Sequence, residues 1–271
     1  MPPAGTLSAP EATDNPVAKS SGYIRLLVGA GGSARPSPDW VQADLYPGPH
    51  VDLVFDLQCA PWPIADNTVI EFCASHVLEH LDDPFTFFKE LHRVCAPNCA
   101  ILIRVPHGGH RAAWFDLTHK RPWFAESFAF LQPGYAESIG NPQHDQWTAY
   151  FGIGRADQRI SAKFGPYLRY KWQRKLFCFW LENIAEAIEE IWVWLYPIKT
   201  PDQLEEFLKD RPGNYVPARY VIYQHALEGK ILRYREPSML VPLTEHTVVN
   251  GFHDWRSFRS WRWWRNVEAS E

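Results

Sequence analysis

The sequence predicts an α/β protein built on a mostly parallel sheet with helices on both faces. Three observations predict this fold. Short apolar runs recur through the first 110 residues, and helical or loop segments separate them. The first run ends in glycines at positions 29, 31 and 32. Acidic residues end the second and third runs, a pattern typical of parallel strands that carry a ligand at their carboxyl ends.

The first half of the chain alternates strands with crossovers. The apolar runs predict strands, and a run that begins at Asp83 and Pro84 predicts a helix, because Asp is a preferred N-cap and Pro fits the first helical position. Apolar residues at three- and four-residue steps continue that helix, among them Phe85 and Phe88. The predicted strands are 23–28, 40–45, 51–57, 69–75 and 100–105, and the predicted helix is 84–95.

The second half is less regular. Residues 107–150 are expected to form a long loop region with a short helical piece at 125–131. Alternation or helical periodicity predicts the remaining elements. They are a strand within 159–170, helices at 177–195 and 202–209, and a strand at 218–227.

The domain organisation follows from composition. Residues 1–20 are rich in Pro, Ala and Ser without apolar periodicity, which predicts a disordered tail. One domain is expected over 21–230, with a helical insertion at about 171–210. An aromatic, basic extension at 231–271 completes the chain, and we expect its Trp residues to pack on the domain.

Charge and hydropathy exclude several classes of protein. The net charge of -4 does not favour a surface that binds nucleic acid. The N-terminal segment does not have the basic start and following apolar stretch of a secretory signal. The cytoplasm is therefore the expected compartment. The most apolar later stretch contains Glu182, Glu186, Glu189 and Glu190, which excludes a membrane span there. The five cysteines form no CxxC pair, so neither disulfides nor a metal is expected.

The glycine-rich loop at the end of the first strand is the first candidate ligand site. Gly29, Gly31 and Ala34 also satisfy the dinucleotide pattern G-x-G-x-x-[GA]. A pyrophosphate needs a helix N-terminus, yet two prolines at 36 and 38 prevent a helix from following the glycines. A cofactor without phosphates therefore fits the loop better.

Two acidic residues at successive strand ends make this an adenosine site. Asp44 is placed to accept hydrogen bonds from both hydroxyls of a ribose, and Asp56 from an exocyclic amine. Either residue alone could equally cap a turn. Beside a G-x-G loop, the pair favours adenosine.

These segments resemble a known family. The stretches GAGGSARPSPDWVQADLYPGPHVDLVFDL, PWPIADNTVIEFCASHVLEHLDDPFTFFKELHRVCAP and IRVPH are similar to class I S-adenosylmethionine-dependent methyltransferases of the methyltransferase-11-like type. The resemblance covers about residues 23–125, and HVLEHL is its most specific part. It departs from the family pattern at Ala30 and at Pro97-Asn98-Cys99.

The resemblance implies a Rossmann-like, seven-stranded-type sheet with an antiparallel last strand, for which 159–170 and 218–227 are the candidate sixth and seventh strands. It also implies where S-adenosyl-L-methionine would bind. The loop would border the methionine part, Asp44 and Leu45 the ribose, Asp56 and Leu57 the adenine, and two further residues the acceptor entrance. The full implied set is Gly29, Ala30, Gly31, Asp44, Leu45, Asp56, Leu57, Ser75 and His76.

Candidate catalytic residues follow the fifth strand in HGGHRAAWFDLTHKRP, a segment similar to a DPTHKRP-like stretch of the family. A hydroxyl or amine acceptor benefits from a general base, and His is the natural base near pH 7. The candidates are His76, His107, His110, Asp116 and His119. These side chains could instead hold an irregular loop together, and their spacing matches no standard metal motif.

The function expected from the sequence is methyl transfer to a small-molecule, sugar or lipid-linked acceptor. A non-catalytic methyltransferase-like binding protein is the alternative, favoured if 107–119 folds away from the cofactor cleft. An NAD-dependent oxidoreductase is a further alternative. A nucleic-acid partner is not expected, and the oligomeric state is left open.

Overall fold

The structure is a computed structural model that describes residues 22–29, 38–140, 147–170, 172–173, 185–210, 219–223 and 246–250. Its strands are β1 Ile24–Val28, β2 Trp40–Asp44, β3 Leu53–Val54, β4 Val69–Ser75, β5 Cys95–Pro106, β6 Phe151–Ile160, β7 Ile188–Pro197, β8 Arg219–Tyr223 and β9 His246–Asn250. Its α-helices are α1 Pro84–Val94, α2 Tyr135–Ser138 and α3 Pro201–Asp210.

One sheet contains all nine strands in the order β3-β2-β1-β4-β5-β7-β6-β8-β9. The first five strands pair in parallel, as predicted. Successive residues of β1 are buried on opposite faces, with Leu26 in the main core and Leu27 packed with Trp40 and Cys73 on the other face. Burial on both faces explains why these strands are mostly apolar.

Helix α1 has the start that the sequence predicts. Asp83 caps it by accepting a hydrogen bond from the Phe85 amide at 2.9 Å. Phe87, Phe88 and Leu91 are buried on its inner face, whereas Phe85, which belongs to the same periodicity, is 46% exposed. The helix leads directly into β5, whose register against β4 shifts between Cys95 and Ala100.

The predicted helix at 177–195 is wrong where the structure describes it. Residues Ile188–Pro197 form β7, which lies between β5 and β6 and is antiparallel to both. Ile191, Val193 and Leu195 alternate into the core, as in a strand. Glu189 and Glu190 gave the segment the polar face of an amphipathic helix, yet Glu190 is buried among cations. Among the described residues of the predicted helical insertion at 171–210, only 172–173 and α3 are helical, and 171 and 174–184 lie outside the described residues.

The predicted strand at 159–170 is also displaced. The strand is Phe151–Ile160, and a 3-10 turn, Ala162–Leu168, follows it. Gly152 and Gly154 give this segment the composition of a loop. A Cβ at Gly152 would overlap the Tyr196 ring of β7, so glycine is present to admit that ring.

The seventh strand of the resemblance is thus β7 and not 218–227. The described part of 218–227 is a strand, β8, but it pairs in parallel with β6 on the far side of the sheet. Strand β9 extends the sheet further by antiparallel pairing with β8. Residues 1–20 and the Trp- and Arg-rich segment 255–265 lie outside the described residues, as do most of 231–271.

Within the described ranges, the structure contains no helix that is both long and apolar enough to cross a bilayer.

Candidate functional site

The predicted cofactor residues that the structure describes meet at one edge of the sheet. In the parallel registers, Val28 of β1 lies beside Ala43 of β2 and Ala74 of β4. Gly29, Asp44 and Ser75 follow these three positions directly, so their side of the sheet is the carboxyl edge. Open parallel sheets bind ligands at this edge. Ala30 and Gly31 lie outside the described residues.

Asp44 and Asp56 hold similar local turns. Asp44 Oδ1 accepts a hydrogen bond from the Tyr46 amide at 3.0 Å, and Asp56 Oδ1 accepts one from the Gln58 amide at 2.8 Å. The turn-capping alternative is therefore present at both residues. A carboxylate has about four acceptor positions, so a turn bond fixes its direction and leaves capacity for a ligand. Both side chains are partly exposed at the edge.

Residues on both sides of Asp56 in the sequence pack around Trp62. The Trp62 indole donates a hydrogen bond to the Leu57 carbonyl at 3.0 Å, and the Trp62 ring packs against Phe55 at a centroid separation of 5.9 Å. Trp62 is held in turn by Glu90 of α1, which accepts from the Trp62 amide at 2.7 Å. Leu57 is half-buried, and Leu45 on the β2 side is 50% exposed.

Gly29 connects the first strand to the HVLEHL segment. Its φ of +66° lies in the left-handed region, and a Cβ there would overlap Val77 Cγ2. Position 29 therefore needs glycine for both its backbone conformation and the close approach of Val77. This contact gives a structural reason for the glycine at position 29 and the HVLEHL segment to occur together.

His76 lies between two carboxylates at the end of β4. Its Nδ1 is 3.2 Å from Glu79 Oε1, and its Nε2 is 2.9 Å from Glu190 Oε1. Burial alone would lower the pKa of His76, but the hydrogen bonds and charges of Glu190 and Glu79 raise it to about 9. Both ring nitrogens are therefore engaged, which favours a structural role over that of a base.

Glu190 is the centre of a buried ionic network that the sequence analysis missed. Its carboxylate is 1% exposed and accepts hydrogen bonds from His76, from Arg104 of β5 at 2.8 and 3.1 Å and from the Trp192 indole at 2.6 Å. Arg159 Nε lies 3.0 Å from Glu190 Oε2. These donors and cations outweigh burial and hold the pKa of Glu190 well below its usual range.

Two of the candidate bases hold the loop after β5. His107 Nδ1 accepts from the Gly109 amide at 3.0 Å, and burial together with the charge of His110 lowers the pKa of His107 to about 4. His110 Nδ1 accepts from the Ala112 amide at 3.2 Å, and its Nε2 is 3.7 Å from Glu186 Oε2. Burial also lowers the pKa of His110. Their basic nitrogens are engaged by backbone amides, in agreement with the loop-holding alternative.

The remaining candidates lie against the turn that follows β4. Asp116 Oδ1 accepts from the Thr118 amide at 2.9 Å and the Thr118 hydroxyl at 2.7 Å, and these bonds lower its pKa. His119 Nδ1 lies 3.3 Å from the Ala113 carbonyl, and its ring packs edge to face on His80 with centroids 4.7 Å apart. The Lys120 amide donates to the Glu79 carbonyl at 2.7 Å. Segment 107–119 therefore ends beside the HVLEHL turn at the carboxyl edge.

This packing brings together a group with metal-ligand chemistry. One ligand atom from each of Glu79, His80 and His119 lies within 4.8 Å of the others. In the sequence, His119 stands in the same segment as His107 and His110, apart from Glu79 and His80. The adjacent Glu and His in HVLEHL were the available signal, but nothing local indicates that His119 joins them.

No family model matches the chain, and no curated protein matches it. Among solved structures, an S-adenosylmethionine-dependent methyltransferase from Archaeoglobus fulgidus is 14% identical over 65% of this chain and 86% of its own, with a TM-score of 0.40. A second, from Aquifex aeolicus, is 13% identical over 65% and 82%, with a TM-score of 0.35. The cyclase SpnF is 14% identical over 65% and 74%, with a TM-score of 0.37.

The sheet itself tests the predicted fold. Five parallel strands are followed by β6, which is parallel to them, and by β7, which inserts antiparallel between β5 and β6. The resemblance implied an antiparallel last strand of this kind. The chain therefore has the predicted α/β, Rossmann-like fold with a mostly parallel sheet.

Proposed function

We propose that this chain is an S-adenosyl-L-methionine-dependent methyltransferase that acts on a small-molecule, sugar or lipid-linked acceptor. The observation that carries the proposal is that Asp44 is the last residue of β2 and Asp56 follows the adjacent strand β3, at the edge where Gly29 follows β1. Strand ends with this order of glycine and two acids suit an adenosine ligand without phosphates.

Each part of the cofactor has a matching set of residues. Asp44, with Leu45 beside it, would accept the ribose hydroxyls, and Asp56 would accept the exocyclic amine of adenine next to Leu57. Gly29 would border the methionine part, with Ser75 beside it at the end of the adjacent strand β4. When bound, the cofactor supplies an electrophilic methyl group on a sulfonium.

The chain's own contribution to methyl transfer is to orient the acceptor and exclude water. The turn Leu78–His80 and the loop that ends at His119 lie against each other beside the end of β4. Of the four candidate histidines, His119 is the one whose basic nitrogen is not engaged by a backbone amide or placed within 3.5 Å of a carboxylate. We place the acceptor at that end of the cleft.

The position of segment 107–119 disfavours the non-catalytic alternative. That alternative predicted a segment folded away from the cleft, whereas Lys120 and Thr118 bond to the turn beside β4. Segment 107–119 therefore lies beside the same edge of the sheet as the proposed cofactor residues.

Calorimetric titration of the full chain with S-adenosylmethionine, S-adenosylhomocysteine and NAD tests the proposal. We expect heat with both adenosyl compounds and none with NAD. Asp44→Ala should weaken binding of both at least about tenfold, since a carboxylate bonded to two hydroxyls contributes more than about 1.4 kcal/mol.

Asp39→Ala is the matched control, because Asp39 precedes the same strand at its opposite end and pairs with Arg25. It should bind both compounds like the wild type. Absence of heat with either adenosyl compound, or equal affinity of the Asp44 variant, would refute the cofactor assignment. Heat with NAD alone would favour the oxidoreductase.

A further inference from the structure

The turn after β4 and the loop after β5 enclose a second candidate site at the acceptor end of the cleft. Glu79 and His80 lie in the 3-10 turn Leu78–His80, and His119 lies 39 residues further along the chain. A backbone hydrogen bond from Lys120 to Glu79 joins the two segments. One donor atom of each of the three side chains lies within 4.8 Å of the other two.

Glu79 has a buried oxygen that lacks a partner. The side chain is 1% exposed, and its Oε1 faces His76 Nδ1 at 3.2 Å. Its Oε2 is buried with no hydrogen-bond partner among the described residues. Leaving a carboxylate oxygen buried without a partner is unfavourable, so a cation at this position would satisfy it.

The hydrogen bonds of His80 leave Nε2 as its basic nitrogen. The Thr118 hydroxyl donates to Asp116 Oδ1 at 2.7 Å, so its oxygen accepts from His80 Nδ1 at 2.9 Å. Nδ1 therefore carries the proton, and the lone pair is on Nε2. Chains of this kind, from ring nitrogen to hydroxyl to carboxylate, orient metal-binding histidines.

His119 also has its lone pair on Nε2. Its Nδ1 is 3.3 Å from the Ala113 carbonyl, which can only accept, so Nδ1 carries the proton here as well. Its Nε2 lies 3.9 Å from Asp116 Oδ2, an acidic oxygen at the rim of the cluster. The side chain is 9% exposed, so its orientation is fixed by packing.

We propose that Glu79, His80 and His119 bind one divalent first-row transition-metal ion of the zinc class. Two imidazole nitrogens and one carboxylate oxygen form a donor set that suits such ions, whereas Mg²⁺ and Ca²⁺ prefer sites made of oxygen ligands. Tetrahedral ligands of zinc lie about 3.4 Å apart, so rotamer changes of ~1 Å close the site. Thr118, Asp116 and the Ala113 carbonyl hold the two rings.

Three protein ligands leave a coordination position for another molecule. That position takes an oxygen donor, and a hydroxyl bound there loses its proton more readily than in water. An acceptor hydroxyl is the ligand that fits this position, and this second step rests on the proposed methyltransferase function. Metal binding itself does not depend on that function.

Metal titration of the full chain, freed of metal by a chelator and without cofactor, tests the site. We expect one equivalent of Zn²⁺ by calorimetry and a visible Co²⁺ spectrum of a four- or five-coordinate ion. Glu79→Gln and His119→Ala should each lower the affinity at least about tenfold. His50→Ala, which removes an exposed histidine outside the cluster, should not change it.

No stoichiometric binding by the wild type, or wild-type affinity in Glu79→Gln and His119→Ala, would overturn the site. If a variant fails to fold by circular dichroism, imidazole nitrogen NMR of the wild type decides. Zn²⁺ should shift the Nε2 signals of His80 and His119 and leave their Nδ1 protons in place, and unshifted signals would refute the assignment. Because cofactor calorimetry is a separate measurement, a failure of the metal site and a failure of the methyltransferase proposal are distinguishable.

Discussion

Glu190 Oε1 lies 2.9 Å from His76 Nε2, which joins the antiparallel strand β7 to the end of β4 across 114 residues of sequence. Arg104 of β5 donates to the same oxygen, and Arg159 of β6 lies 3.0 Å from the other, so four strands of the sheet meet at one buried carboxylate. The carboxyl edge that carries the candidate site is therefore held together by charge as well as by the apolar core.

Glu190→Gln should be strongly destabilising. The amide keeps the volume but removes the negative charge, which leaves the buried Arg104 and Arg159 and the half-buried His76 beside a neutral group. Removing one partner of a buried ionic group costs about 3–5 kcal/mol. Urea denaturation of the variant measures this change in the free energy of unfolding.

Glu189→Gln is the matched control for that variant. Glu189 is the neighbouring residue, its side chain is 26% exposed, and it pairs with Arg159 at 3.3 Å. Its loss should cost less than about 1 kcal/mol. If both variants lose equally little stability, the network around Glu190 does not stabilise the fold.

Gly29→Ala tests the contact between the first strand and the HVLEHL segment. The new Cβ would overlap Val77, and alanine at position 29 would have to adopt an unfavourable positive φ. Gly140→Ala is the control, because Gly140 also has a positive φ, +72°, but nothing lies within 4 Å of its Cβ position. We expect a loss of about 1 kcal/mol at position 140 and ~2 kcal/mol more at position 29.

A double variant separates strain from overlap. Val77→Ala combined with Gly29→Ala should recover part of the stability lost by Gly29→Ala alone, because the methyl group that overlaps is absent. Thermal or chemical denaturation measures the stability of the wild type, Gly29→Ala, Gly140→Ala and the double variant. Equal losses at positions 29 and 140 would contradict a role for Val77.

Local patterns predicted the first half of the fold. Strands at 23–28, 40–45 and 69–75 and the helix at 84–95 depend on apolar periodicity and on the Asp83 cap, which neighbouring residues determine. The second half could not be predicted in this way. Glu189 and Glu190 look like the solvent face of a helix until Arg104 and Arg159, from distant strands, are known to surround Glu190. Gly152 looks like a loop residue until Tyr196 packs on it.

The residues at the strand ends of the candidate site could be predicted from the sequence, but the roles of its histidines could not. Gly29, Asp44, Asp56 and His76 come together because parallel strands share a carboxyl edge, which a strand pattern alone implies. The roles of the histidines depend on which ring nitrogen each hydrogen bond engages. Those partners, such as the Thr118 hydroxyl for His80, come from the folding of an irregular loop that has no sequence period.

The pH dependence of stability should reflect His107. Its pKa is lowered from 6.5 to about 4, because burial and the charge of His110 disfavour the cation. The unfolded chain takes up a proton near pH 6.5 and the folded chain does not, so stability is complete above that pH and is lost as the pH falls toward 4. The loss should be of the order of 2–3 kcal/mol.

His107→Asn separates this effect from the hydrogen bond. The Asn side-chain oxygen can accept from the Gly109 amide as His107 Nδ1 does, but it does not titrate. Urea denaturation at pH 7 and pH 4.5 should give a smaller acid loss for the variant than for the wild type. An identical loss would assign the acid sensitivity to other groups.

Cys59 offers a direct probe of the adenine end of the cleft. Its thiol is exposed and lies 3.7 Å from Asp56 Oδ2, whereas Cys73 is buried and its pKa is raised to about 12 by burial. Iodoacetamide should therefore modify Cys59 and leave Cys73 intact in the folded protein, as mass spectrometry of tryptic peptides would measure.

Saturating S-adenosylhomocysteine should slow modification of Cys59 several-fold, because an adenine bonded to Asp56 would cover the thiol. NAD at the same concentration should not protect it, and the Asp56→Ala variant should lose the protection by S-adenosylhomocysteine. Reaction of Cys59 at an unchanged rate, in a protein that binds S-adenosylhomocysteine by calorimetry, would place the adenine elsewhere on the carboxyl edge. Protection by both compounds would instead indicate a nucleotide site without selectivity for the adenosyl cofactor.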